Sequence, residues 1–204
     1  MSPPLILTEK FAAGRYRMCW RHPLDLSLCV KVSIPGASKN DNANEHHYLR
    51  HLSARGVQSR HLPRSHGWVN TNHGLGLVTD LILTPDGTPA PDLRFAILNG
   101  LVDENRATQL VSDAFDWATE HGVIVLDARP QNFVISGHPS SGEWLVLIDG
   151  LGTYNLTALP YRLACFFRPY EYWRARQKIK IRRKVMLQKI QALVAQKAVL
   201  SNAQ

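Results

Sequence analysis

The segment Asp127-Ala128-Arg129-Pro130-Gln131-Asn132 packs a carboxylate, a guanidinium and two amides into six residues between the apolar runs Val123–Leu126 and Phe133–Ile135. A connecting loop turns well enough on Gly, Ser and Asn, so this density of polar side chains points to a charged ligand. Lys31 lies inside the apolar stretch CVKVSI, where an isolated ammonium is costly unless it meets an anion. Glu45, 14 positions on, is the candidate anion and would also orient the lysine. Asp149 closes the run WLVLID just before Gly150. Such a set suits a polyphosphate and its divalent ion. Asn132 and Asp149 offer the oxygen ligands that Mg²⁺ prefers, Asp127 is placed to take a proton from a hydroxyl, and Arg129 to neutralise charge on a transferred group.

The elements that must position these residues can be read from pattern. Residues up to Pro35-Gly36 read as strand and turn: LILTEKFAAG, YRMCW, a turn at RHPLD, then LSLCVKVSI. DNANEHHYLRHLSARG reads as a helix opened by Asp41 or Asn42 and closed by Gly56. PRSHGWVNTNHGLGLVTDLIL reads as a hairpin turning at NTNHG, and PDGTPAPD as a hinge. ENRATQLVSDAFDWATEHG is predicted to be a helix with Leu110, Ala114, Trp117 and Ala118 on its apolar face. Two short strands are expected around the polar hexapeptide, then the turn SGHPSSGE and the strand WLVLID. One or two helices follow from Leu159. The fold class is α+β, with strands first and helices last. Three segments are expected: 1–84, a sheet lobe with one helix; 85–170, a reduced helical lobe with the polar loop; and 171–204, a basic amphipathic helix.

Composition narrows the classes. The chain has 204 residues, 45% hydrophobic and 20% charged, as in a soluble globular domain. No apolar run approaches the roughly 18 residues of a membrane span, and MSPPLILTEK does not read as a secretory signal. Three scattered cysteines (Cys19, Cys29, Cys165) fit a reducing cytoplasm. Of the nine histidines the closest pair, His46-His47, would diverge by about 100° on a helix, so no structural metal is expected. The net charge of +8 is unevenly placed. Residues 1–170 balance 15 Lys and Arg against 15 Asp and Glu, while residues 171–204 carry nine against Glu171 alone. A basic tail on a neutral body is thus expected. Its stripe Ile179, Met186, Ile190, Leu193 and Val194 either packs on the body or helps present the charges to an anionic partner, a membrane surface or nucleic acid.

In chain order, Lys31, Glu45, Asp127, Asn132 and Asp149 give the layout of a protein-kinase-like phosphotransferase. The chain resembles the PhoP regulatory network protein YrbL family, small bacterial proteins with a protein-kinase-like fold. The resemblance is carried by GRYRMCWRHP, CVKV, HYLRHL, HGWVNTNHGLGLVTDLI and RPQNFVI and covers roughly residues 10–180. It implies two lobes, an N-terminal antiparallel sheet lobe and a reduced helical C-terminal lobe. Against the kinase pattern, Val125-Leu126 replaces the His-Arg before the catalytic aspartate, Asp149-Gly150-Leu151 lacks the phenylalanine, and the loop over the nucleotide keeps one glycine, Gly14. Only 55 residues follow Asp149. The expected activity is ATP- and Mg²⁺-dependent transfer to an unidentified hydroxyl, with Asp127 and Arg129 catalytic, Gly14, Lys31 and Glu45 binding nucleotide, and Asn132 and Asp149 holding metal. The rival expectation is a pseudokinase that binds nucleotide or a partner.

Overall fold

Five antiparallel strands open the computed structural model, which describes residues 3–36, 41–138, 140–152 and 158–202. They are β1 (Lys10–Ala13), β2 (Arg17–Arg21), β3 (Leu28–Ser33), β4 (Ser65–Thr71) and β5 (Gly74–Asp80), in the order β1-β2-β3-β5-β4. Alternation along β3 sorts its side chains by face. Val30 and Val32 join Leu7, Trp20 and Val78 in a small apolar cluster, whereas Cys29 and Lys31 line the cavity described below. Helix α1 (Asp41–Ala54) is inserted between β3 and β4 and buries Asn42, Glu45, Tyr48, Leu49 and Leu52 at helical spacing.

The helical part follows. Asp92 caps α2 (Leu93–Leu98), its side chain accepting from the Phe95 N–H, and Asp103 caps α3 (Glu104–Glu120) in the same way through Arg106. A hairpin of β6 (Phe133–His138) and β7 (Gly142–Leu147) follows, then α4 (Leu159–Phe166) and the 35-residue α5 (Arg168–Asn202). One large core joins α1, α2, α3, the hairpin and α5.

Two differences from expectation, the run Val123–Leu126 and the short helix α2, have physical causes. Val123–Leu126 is not a strand: β6 pairs with β7, and the run is a buried extended segment whose one bridge is Val125 to Leu151. The Pro/Gly stretch expected as a hinge forms a turn at Thr84–Thr88, with Leu83 bridged to Pro89, and then delivers the cap of α2. That six-residue helix was hidden because nothing so short shows a periodicity. The stripe of the basic tail packs on the body, one of its two expected placements. α5 starts at Arg168, and Ala175, Ile179, Met186 and Ile190 are buried in the main core. Arg183 reaches Ser112 and Asp116 on α3.

Candidate active site

Lys31 is 5% exposed and sits at the middle of the sheet, paired in register with Cys19 on β2 and Leu77 on β5. Its ammonium donates to Glu45 Oε1 at 2.6 Å and to the Ile148 carbonyl at 3.1 Å. Burial works against the charged lysine, but the Glu45 carboxylate outweighs it and holds the pKa above the ordinary value. Asn42, one turn before Glu45, donates to the Lys31 carbonyl at 2.7 Å and so ties α1 to β3.

The catalytic-loop candidates are built from Leu126 onward. The Leu126 and Asp127 N–H groups both donate to the Gly150 carbonyl, at 2.8 and 3.1 Å. Pro130 starts a single 3₁₀ turn, Pro130–Asn132, which buries Asn132. The Asn132 side-chain amide nitrogen donates to the Asp127 backbone carbonyl at 2.9 Å, and the Asn132 backbone carbonyl accepts the Ile148 N–H at 3.0 Å. Asp127 and Asp149 are thereby fixed on neighbouring segments. Gly150 permits this approach. It holds φ +77°, and a Cβ there would lie 2.5 Å from the Asp127 carbonyl oxygen.

Gly14, Lys31, Glu45, Asp127, Arg129, Asn132 and Asp149 all line one cavity of about 520 Å³. It adjoins a more apolar cavity of about 400 Å³ lined by Phe11, Cys29, Ile82, Pro91, Phe95 and Val134 among others. Lys31, Cys19, Gln131 and Ile148 line both. A polar chamber thus lies beside an apolar slot.

Two expected residues are placed differently from the simplest reading. The Gly14 N–H donates to the Arg17 carbonyl at 2.8 Å, so it closes the β1–β2 turn. Arg129 is half exposed and its Nε pairs with Asp127 Oδ1 at 3.0 Å.

Arg17 was missed by sequence reasoning. It is 8% exposed, and its guanidinium bridges Glu45 Oε2 at 2.5 Å, Asn42 Oδ1 at 3.1 Å and Asp149 Oδ1 at 3.0 Å. Burial opposes its charge, yet Glu45 and Asp149 together raise its pKa. Burial likewise raises the pKa of Asp149, but Arg17 and then Lys31 outweigh it, and the carboxyl stays below its ordinary range. The signal was strand alternation: Arg17 lies two residues before Cys19, the register partner of Lys31, and so shares its face.

The family model for PhoP regulatory network protein YrbL matches residues 5–190. This chain belongs to that family. YrbL of Escherichia coli (strain K12) is 29% identical over 150 residues, covering 72% of this chain and 71% of that protein, and YrbL of Shigella flexneri matches to the same extent. Among solved structures, a point mutant of the Mycobacterium tuberculosis PknI kinase domain is 16% identical, with a TM-score of 0.48 over 71% of this chain and 58% of that one. A double mutant of the same domain has a TM-score of 0.48 and 16% identity over 78% and 65%. The chain thus spans 58–65% of the length of those kinase domains. The architecture is α+β, an N-terminal antiparallel sheet followed by a helical part, and these structural neighbours are protein kinase domains. Among the described residues no helix is long and apolar enough to cross a membrane.

Proposed function

We propose that this YrbL-family protein transfers the γ-phosphoryl group of ATP to a hydroxyl acceptor. One observation carries the reading: the buried Lys31–Glu45 pair opens onto the same cavity as Asp127, Asn132 and Asp149. Lys31 holds the nucleotide phosphates, with Glu45 fixing its direction. The apolar cavity takes the base. Asp127 accepts the proton as the acceptor oxygen bonds to the γ-phosphorus and the bond from that phosphorus to the leaving ADP oxygen breaks.

Asn132 and Asp149 fit a divalent cation. The Asn132 amide nitrogen is committed to the Asp127 carbonyl, which leaves its side-chain oxygen to accept, and Asp149 is tied through Oδ1 to Arg17 and to the Gly150 N–H, which leaves Oδ2. Two protein oxygens, with phosphates and water, are a usual set for Mg²⁺. Bound there, the ion supplies neutralisation of charge on the transferred group. Arg129 pairs with Asp127 and sets the orientation of the base. In this reading the protein works in the cytoplasm, a setting supported by its use of ATP and by three free thiols, Cys19, Cys29 and Cys165.

The Arg17–Asp149 pair favours a second reading, a nucleotide-binding regulatory module without turnover, because it sets a fixed cation against the metal-binding carboxylate. Incubation with Mg-ATP separates the two. ADP release that falls at least a hundredfold in Asp127→Ala, with ATP still raising the melting temperature of both proteins, supports transfer. Equal ADP release by the two removes the enzymatic reading, and ATP binding without turnover leaves the second.

A further inference from the structure

α4 and the outer line of α5 expose large apolar side chains beside cations. Phe166 is 87% exposed, Phe167 60% and Trp173 54%, with Leu159, Leu163 and Ile181 exposed as well. Arg162, Arg168, Arg176, Lys180 and Lys184 are exposed among them. The segment has one acidic residue, Glu171, and it is turned inward at 1% exposure, held by Arg55 at 2.7 Å and His51 at 3.0 Å. Among the described residues 158–200, therefore, no carboxylate on the surface tempers the positive charge.

None of the described residues covers this face. α5 has already buried its opposite stripe, Ala175, Ile179, Met186 and Ile190, in the core, while Trp173, Lys180 and Lys184 fall on one line of the helix pointing away from it. Charge selects among occupants. A second copy would bring cation against cation. Nucleic-acid phosphates would satisfy the arginines and lysines and leave Leu159, Leu163 and Ile181 in water. An anionic bilayer satisfies both kinds of group, because its headgroups meet the cations and its acyl boundary receives the rings and aliphatic chains.

We infer that α4 and the exposed line of α5 are a seat for an anionic phospholipid surface. Phe166, Phe167 and Trp173 enter the acyl boundary, and Arg162, Arg176, Lys180 and Lys184 pair with lipid phosphates. The protein lies on the membrane and does not span it.

The test is co-sedimentation of the full chain with phosphatidylglycerol/phosphatidylcholine vesicles and with vesicles of phosphatidylcholine alone. Pelleting is expected with the first and not the second, and added salt should weaken it. Phe166→Ser/Phe167→Ser and Lys180→Glu/Lys184→Glu should each lower the bound fraction at least tenfold. Their unchanged melting temperatures would show that the exposed positions leave the fold intact. Equal pelleting on both vesicle types, no loss in the Phe variant, or displacement from vesicles by a single-stranded oligonucleotide would overturn the inference.

Discussion

Replacing Arg17 with Met separates the two jobs that its guanidinium performs. On the stability side, the side chain loses Glu45, Asn42 and Asp149 at once. Breaking a buried ion pair by removing one partner costs about 3–5 kcal/mol. Here Glu45 keeps Lys31 at 2.6 Å, and Asp149, whose side chain is 48% exposed, keeps the Gly150 N–H and gains water. The expected loss is therefore about 2 kcal/mol, read from urea denaturation midpoints. On the ligand side, Asp149 loses a competing cation. Two unit charges about 4 Å apart attract by about 4 kcal/mol at an effective dielectric of about 20, and exposure of the carboxylate brings this down to about 1 kcal/mol. The Mg²⁺ midpoint for nucleotide-induced thermal stabilisation should accordingly fall by about fivefold in Arg17→Met. Adding Asp149→Asn should abolish that gain and reduce the stability penalty in a double-mutant cycle. A variant with the wild-type urea midpoint and the wild-type Mg²⁺ midpoint would show that the bridge carries no energy.

Three further outcomes are expected. Glu171→Gln leaves Arg55 and His51 without their buried carboxylate and should cost about 3 kcal/mol in urea denaturation, whereas Asp116→Asn at the exposed Arg183 contact should cost under about 1 kcal/mol. Gly150→Ala places a Cβ 2.5 Å from the Asp127 carbonyl at φ +77°; it should destabilise by about 2 kcal/mol and erase the ATP-induced rise in melting temperature. As pH falls, the melting temperature should drop in two stages. Burial holds the His61 pKa below its ordinary 6.5 despite the bond to Leu145, so the unfolded chain takes up the proton first and stability falls below about pH 6.5. His61→Gln should flatten that stage. Asp80 and Asp149 have pKa values below the ordinary 3.8 because His66, Arg64 and Arg17 outweigh burial, so their contribution is lost only in a second stage below it.

What the sequence made legible follows from how costly each residue would be without its partner. An ammonium inside CVKVSI demands an anion, and Glu45 on the next helix is that anion. Asp127 and Asn132 were legible because their spacing is local, and Asp149 because it ends an apolar run just before Gly150; a 3₁₀ turn and one close approach at Gly150 set their geometry. Arg17 was opaque for the opposite reason. An arginine at a strand end is ordinary, and its meaning depends on the β2–β3 register, a tertiary fact. The run Val123–Leu126 looked like a strand because full burial and β-branching favour one, but β6 found its partner in β7. The stripe on α5 was legible as a stripe. Whether it faced the body or a partner depended on the shape of α2 and α3, which no pattern in the tail records.

The attachments of α1 bear on how such a site is controlled. Tyr48 accepts the Ile124 N–H at 2.7 Å, and Arg55 donates to the His121 carbonyl at 3.1 Å while pairing with Glu171. Leu49 and Leu52 belong to the core of the helical part, not to the cluster under the sheet. The helix that carries Glu45 is thus bolted to the segments leading into the Asp127–Asn132 loop and to α5. Swinging it away would break these polar contacts, and that of His51 to Glu171, together with its apolar packing, a cost of several kcal/mol. A kinase regulated by moving this helix keeps that cost low, and one that reads a phosphorylated loop keeps an arginine where this chain has Leu126. Here the lysine–glutamate pair is assembled by the fold itself. The adjustable element is then the distribution of charge inside the site, where Arg17 already shares both Glu45 and Asp149. Under the proposed function, a bound divalent ion and nucleotide phosphates would be the species that redistribute Arg17 between the two carboxylates, with no moving lobe.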